Sequence, residues 1–449
     1  MAHSSQTHVH EASRAAHQFL DLIFPPPRNY AVHWCNQILD DGRRGGRPQF
    51  TLVFRHPGTL RRMFAPPVEL NAAEAFIRSE FDIDGDIFAA YNLIYNLPAL
   101  LGSARALASV VAAWARLPHD VVELPEIARG PARLSGRVHS RVRDRAAIQY
   151  HYDVGNDFYA LYLDSRMVYT CAYFPTGTED IDSAQLLKLD AICRKLRLKP
   201  GDRLLDIGCG WGGLVMHAAQ HYGAHALGVT LSEQQHALAT QRIAAAGLTA
   251  NAEVRLNDYR DLGDASFDKL VSIGMFEAVG RGHMPEYFAH AFRLLKPGGV
   301  FLNHGISRPP APAHPTVAHW LRRKVMGENL FSERYIFPDG ELLPVSEVNL
   351  LAERAGFEVR DVENWREHYA LTLRHWVRRL EARSQDALKL KGETVYRTWR
   401  LYMSGAAQGF DTGRHNICQT LLSKPTPNGA SNLPRTRADW YANSGHTGM

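Results

Sequence analysis

Cysteine is sparse and unpatterned in this chain. Five residues (Cys35, Cys171, Cys193, Cys209 and Cys418) are scattered through 449, an odd number with no C-x-x-C pair. Neither a disulfide framework nor a zinc site is expected, and a reducing cytosol is the natural setting. Long apolar runs are missing too. The best stretch, Ile87 to Leu117, is broken by Asn92, Asn96, Pro98 and Arg105, so no membrane span is expected. Met1 to His17 is polar and histidine-bearing, without a basic region ahead of an apolar core, and no secretory signal is expected. Nor is there a strong excess of one charge. A formal +5 does not call for a nucleic-acid partner, although it suits approach to an anionic membrane surface.

What is present is an ordinary globular composition, 45% apolar and 22% charged, in a chain long enough for two domains. Residues 1–20 read as a disordered lead. Residues 21–117 read as a small α+β domain, with a strand at Gln49 to Phe54, a turn at His56-Pro57-Gly58 and a helical pattern from Glu69 to Tyr95. That pattern is interrupted at Asp82, Asp84 and Asp86, which lack the remaining ligands of a calcium loop and read as a turn. Residues 118–145 form a linker carrying Arg129, Arg133, Arg137, Arg141, Arg143 and Arg145 against the single acid Asp144 over its last part. A solvated hinge and a phosphate-seeking arm at a membrane fit this run equally. Residues 424–449, rich in Pro, Asn and Ser, read as a loose tail.

Between them, residues 146–423 alternate strand and helix. Strands are expected at Arg203–Ile207, His225–Thr230, Val254–Leu256, Lys269–Ile273, Gly299–Asn303 and Phe357–Glu363. Helices are expected at Leu214–Tyr222 and from an N-cap at Ser232 to Ala246. The fold class is α/β: a mostly parallel sheet with helices on both faces, whose ligands sit at the carboxyl ends of the strands.

The first of those ends is Leu204-Leu205-Asp206-Ile207-Gly208-Cys209-Gly210-Trp211-Gly212-Gly213. Glycines at alternate positions let backbone approach a ligand and aim helix-start N–H groups at it. The order G-x-G-x-G differs from the dinucleotide order G-x-G-x-x-G and resembles the first motif of Rossmann-like class I S-adenosylmethionine-dependent methyltransferases. After the second strand, where many such enzymes place a carboxylate, stands Thr230-Leu231-Ser232-Glu233-Gln234-Gln235, in which Thr230 and Gln235 can offer neutral hydrogen bonds instead and Ser232 can serve as a helix cap. After the third, Asp258, Tyr259 and Arg260 offer a carboxylate and an aromatic face suited to adenine. After the fourth comes Glu277 in the apolar run Gly274-Met275-Phe276-Glu277-Ala278-Val279-Gly280, an acid that needs a partner or a shifted pKa. After the fifth lies His304, then Gly305-Ile306.

Upstream, His151 to Tyr159 and the run Tyr169-Thr170-Cys171-Ala172-Tyr173-Phe174 resemble the cyclopropane-fatty-acyl-phospholipid synthase family. LDIGCGWGG, GVTLSEQQ, NDYRDL, SIGMFEAVG, YIFPDGELLP (Tyr335 to Pro344) and Tyr369 to Leu373 follow in that family's order. The resemblance covers roughly residues 146 to 423, and the small N-terminal domain resembles that of the bacterial synthases less specifically. It implies transfer of a methylene group from S-adenosylmethionine to a cis double bond in a phospholipid acyl chain. A carbocation forms and a bound bicarbonate removes the proton. The implied bicarbonate cradle is Cys171, Glu277, His304, the backbone at Ile306, and Tyr369. The implied cofactor residues are Tyr169, Thr170, Asp206, Gly208, Cys209, Gly210, Gly212, Thr230, Leu231, Gln235, Asp258, Tyr259 and Arg260. Tyr152, Phe158, Tyr159, Tyr173 and Phe174 are candidates to line an acyl tunnel, and for any one of them core packing is at least as good a reading.

Three positions depart from the family: Ala278 stands for its histidine, Ala406 for a late cysteine, and Phe410-Asp411 for a phenylalanine–arginine pair. The expected partner is unsaturated phospholipid in a bilayer, met from the cytoplasmic side by a peripheral protein. Some relatives are dimeric, and a homodimer is expected here. Two rival readings are methyl- or methylene-branching of the same chain and N-methylation of a small amine.

Overall fold

The computed structural model describes residues 2–43, 46–100, 103–119, 127, 129–263, 267–312, 314 and 316–441. Most of the expected linker core (120–126 and 128) and the last eight positions of the expected tail lie outside the described residues. The chain forms two compact units, and neither is one continuous stretch. One gathers Met1–Pro131, Ala311–Ile336 and Ser384–Gln408; the other gathers Ala132–Pro310, Phe337–Arg383 and Gly409–Met449. The expected uninterrupted domain at 146–423 is therefore broken twice, and its unit begins earlier, ahead of the helix Arg141–Tyr152.

The first unit is built on a four-stranded sheet of β1 (Ala31–Trp34), β2 (Gln37–Asp40), β3 (Phe50–Phe54) and β4 (Phe81–Gly85), ordered β2-β1-β3-β4. Phe50, Leu52 and Phe54 point to the core while Thr51 and Val53 stay half-buried, the period of two that made β3 legible. β4 corrects the turn expected at Asp82–Asp86: Phe81 and Ile83 are buried and pair with Phe54 and Leu52. Arg397, in the helical segment Ser384–Asp411 beyond its break at Gly392, explains why that late segment returns to this unit. Its guanidinium donates to the carbonyls of Phe76 (2.6 Å) and Phe81 (2.7 Å) and to Asp82 (3.0 Å). The disordered lead is also corrected. Ala2–Ile23 is a helix whose Ala16, Phe19, Leu20 and Ile23, spaced i, i+3, i+4 and i+7, are buried.

The second unit holds a seven-stranded sheet: β5 (Arg203–Ile207), β6 (His225–Thr230), β7 (Ala252–Leu256), β8 (Phe267–Ile273), β9 (Leu295–Ser307), β10 (Glu358–Asn364) and β11 (Asn416–Ser423). The order is β10-β11-β9-β8-β5-β6-β7, parallel from β7 to β9, with β11 antiparallel to both of its neighbours. Alternate side chains of β5 enter opposite layers. Leu204 packs with Leu189 and Ile192 of the helix Ile181–Leu196, and Leu205 packs with Phe288 and Leu294 of the helix Met284–Leu294. β11 had no counterpart in the sequence reading. The tail is pinned in its described part: Trp440 is buried in the first of these layers, and Lys424 Nζ donates to the carbonyls of Phe292 and Leu295, both at 2.7 Å. Among the described residues no helix is long and apolar enough to cross a membrane, and no cluster of three or more metal-ligating side chains forms.

Candidate active site

The glycine-rich turn follows β5 directly. Gly208, Gly210 and Gly212 all take positive φ (82°, 55° and 78°). A Cβ on Gly208 would stand 2.7 Å from Met275 Cβ, whereas one on Gly210 would meet no protein atom within 4 Å. The turn is thus braced on one side and open on the other. Gly212 caps the helix Gly213–Tyr222. Cys209 does not line this turn. A Cβ on Gly228 would sit 2.6 Å from its sulfur, and its N–H goes to Val229 O, so a small buried thiol supports the loop from below.

At the end of β6, the Thr230 hydroxyl donates to Gln235 Oε1 (2.7 Å) and accepts from the Ser232 N–H (3.2 Å). Ser232 in turn caps the helix Glu233–Ala245, with half-buried Leu231 beside it. Both Asp258 oxygens are held by Arg260 (2.9 and 2.6 Å), which also reaches Asp144 at 3.1 Å. Burial pushes the Asp258 carboxyl up, but the Arg260 guanidinium and N–H outweigh it and leave it below the ordinary carboxylate value. The Tyr259 ring rests edge-on against Tyr287, 5.7 Å between centroids.

Asp206, at the carboxyl end of β5, is fully enclosed, and burial pushes its carboxyl up to about 7 against the pull of Lys188. Lys188 itself escaped the sequence reading. Its ammonium is buried, donates to Thr170 Oγ1 at 2.7 Å, and is lowered by burial to about 8 despite the opposing fields of Cys171, Asp164 and Asp206. Tyr169 sits in an aromatic nest: Tyr159 and Trp376 each lie 5.1 Å from it, and His151 stacks at 5.6 Å. Tyr152 and Tyr159 both pack on Trp211 as well, at 5.8 and 5.2 Å.

Trp365 is the hub of the second half of the site. The His304 ring stands edge-on to its indole at 5.4 Å. Its carbonyl accepts from the Tyr369 N–H at 3.1 Å and lies 3.8 Å from the Cys171 sulfur. Tyr173 stacks on the indole at 4.8 Å. Two residues beyond His304 along β9, the Ile306 N–H donates to Glu277 Oε1 at 2.6 Å. That N–H is therefore engaged within the protein, where the sequence reading offered it to an ion. Cys171, His304 and the Tyr369 N–H thus meet at Trp365, and Ile306 ties Glu277 to the strand that carries His304.

Electrostatics sharpen this group. Burial raises Glu277 from 4.5 to about 7 against the Ile306 N–H, and its Oε2 is buried with no hydrogen-bond partner among the described residues. Burial first, then Lys188 and Lys195, hold His304 well below 6.5, so its imidazole is neutral. Its tautomer is set from β11. Lys195 Nζ donates to Gln419 Oε1 at 2.6 Å, which turns the Gln419 amide N–H toward His304 Nδ1 at 3.2 Å. Nδ1 accepts, so the proton resides on Nε2, which is buried and without a partner among the described residues. Lys195 is anchored in turn by Glu363. Burial keeps the Cys171 thiol protonated. With its proton on, Glu277 joins neutral His304 and Cys171 as a donor, a set that fits a small oxyanion.

Residues 139–420 match the mycolic acid cyclopropane synthetase family. The chain belongs to that family. Its members are S-adenosylmethionine-dependent methyltransferases acting on lipid acyl chains. A probable fatty acid methyltransferase of Pseudomonas putida is 39% identical over 93% of this chain and 98% of its own length. The cyclopropane-fatty-acyl-phospholipid synthase of Escherichia coli K12 is 36% identical over 70% of this chain and 76% of its own. The solved structure of the mycolic acid cyclopropane synthase CmaA1 complexed with SAH and CTAB superposes with a TM-score of 0.57. It is 33% identical over 62% of this chain and 97% of that one.

Two of the departures from the family pattern fall beside this site. The Phe410 ring packs 4.7 Å from Tyr369, and Asp411 pairs with Arg374 of the helix Arg366–Ala382, so an acid here has acquired its own cation. Ala278 follows Glu277 in a short 3-10 turn. Ala406 belongs to the other unit.

Proposed function

We propose that this protein transfers a methylene group from S-adenosylmethionine to the cis double bond of an unsaturated acyl chain in a phospholipid, closing a cyclopropane. One observation carries the reading: Glu277 and His304 each present a buried polar atom without a partner, in a group completed by Cys171 and Tyr369. When bound, S-adenosylmethionine would supply an electrophilic methyl and bicarbonate a base that a carbocation does not readily alkylate. The glycine turn and Asp206 would hold the cofactor, and the donors of Glu277, His304, Cys171 and Tyr369 would orient the ion. Lys188, one residue layer behind Thr170 and Cys171, would favour negative charge there. The Tyr152, Tyr159, Tyr169, Trp211 and Trp376 rings, packed on one another, would exclude the water that quenches such a cation and would stabilise it through their faces.

A second reading keeps the methyl transfer but ends in a branched chain. The Pseudomonas putida relative, matched over nearly its whole length, favours it by its designation as a fatty acid methyltransferase. The test is to incubate the protein with S-adenosylmethionine and vesicles of cis-monounsaturated phospholipid, then analyse released fatty acids by mass and proton NMR. A gain of one CH2 with upfield cyclopropyl protons is expected. Vinylidene protons or a new methyl doublet would establish branching, and no gain with cofactor bound would remove both readings.

A further inference from the structure

In the unit that contains Ala311–Ile336, the helix Val317–Met326 presents an apolar face to solvent. Val317, Trp320, Leu321 and Val325 are 75%, 58%, 49% and 37% exposed. Their spacing of i, i+3, i+4 and i+8 puts them on one side of the helix, while Met326 turns inward and is buried. Arg322 and Arg323 flank the stripe on its two sides. Lys324 lies within it and lays its ammonium 5.1 Å over the Trp320 ring. No carboxylate occurs from Thr316 to Gly327. The nearest, Glu328, is shared by Arg322 (3.5 Å) and Arg323 (3.4 Å).

From this we infer that the Val317–Met326 helix docks on an anionic lipid bilayer, its Val317–Trp320–Leu321–Val325 stripe entering the interface and Arg322, Arg323 and Lys324 meeting the headgroups. Charge decides between occupants. Pairing with the same helix of a second copy would set three cations against three, whereas an anionic surface neutralises them. An indole beside cationic side chains suits the boundary between headgroup and acyl chain. The inference rests on the proposed lipid substrate only for why a bilayer is the partner. None of these residues belongs to the site described above.

Flotation with vesicles of phosphatidylcholine, alone and mixed with phosphatidylglycerol, tests it on the full chain. Trp320→Glu combined with Leu321→Glu should weaken binding to the mixed vesicles by roughly tenfold or more. Arg322→Gln, Arg323→Gln and Lys324→Gln together should abolish the preference for phosphatidylglycerol. Methylation of detergent-dispersed phospholipid should remain at the wild-type level in both variants. Undiminished flotation of the glutamate variant would overturn the inference, as would a change in its oligomeric state by light scattering, which would make the stripe a self-interface. Wild-type protein that floats but methylates nothing would instead count against the proposed reaction and leave the docking helix standing.

Discussion

Glu277 carries two carboxylate oxygens in unlike surroundings, one on the Ile306 N–H and one buried alone. Its folded-state value of about 7 lies above the ordinary 4.5, so the folded protein holds this proton more tightly than the unfolded chain does. The resulting stabilisation is greatest below about 4.5 and is lost as pH rises toward about 7. Glu277→Gln cannot ionise. Its stability relative to wild type should climb across that window and level off above it in urea melts taken over a pH series. A flat difference would mean that Glu277 ionises at its ordinary value. The same variant should lose about 10²–10⁴-fold in kcat while retaining calorimetric cofactor binding. At His304 the decisive neighbour is Gln419. Gln419→Glu offers Lys195 a better partner but forces Nδ1 to donate, moving the proton away from Nε2. It should melt near the wild-type temperature and yet be nearly inactive. Gln419→Leu leaves Nδ1 unsatisfied and Lys195 with Glu363 alone, and should also cost about 1–3 kcal/mol. An active Gln419→Glu protein would show that the tautomer does not matter.

At the scale of elements, the turn after β5 separates support from function. Gly208→Ala drives a Cβ against Met275 at 2.7 Å and should destabilise the unit, whereas Gly210→Ala meets open space. The second variant should fold and lose cofactor affinity by at least roughly tenfold in calorimetry, since its methyl stands where backbone approach is needed. Undiminished affinity would place the cofactor elsewhere. The same elements explain what the sequence made legible. β5, β6 and β8 are buried on both faces and read as apolar runs bounded by turn signals, so their positions and the residues at their ends could be found. β11 could not. Its buried Gln419 and Thr420 break the apolar pattern because they serve His304 and Asn349, and it enters the sheet antiparallel to both neighbours. Lys188 was hidden for a related reason: a lysine on an amphipathic helix ordinarily faces water, and only the fold reveals Thr170 above it and Asp206 within its field. The helix Ala2–Ile23 was masked by its histidines and serines, which outnumber the few apolar residues it buries.

Taken whole, the molecule divides its chain between a seven-stranded unit that holds every candidate site residue and a smaller unit assembled from three separate segments. A reader of sequence assigns domains by contiguity, and the returns at Ala311–Ile336 and Ser384–Gln408 defeat that rule because ties such as Arg397 to Phe81 and Asp82 are made across long sequence separations. The central claim is that methyl transfer to an acyl double bond is followed by removal of a proton from the newly attached carbon. It is tested most directly by supplying S-adenosylmethionine with a fully deuterated methyl group and cis-monounsaturated phospholipid vesicles, then reading the fatty acid product by mass and NMR. The account predicts that two of the three deuterons are retained, within a cyclopropane ring. Retention of all three in a methyl branch, or unaltered acyl chains with the cofactor bound, would contradict it.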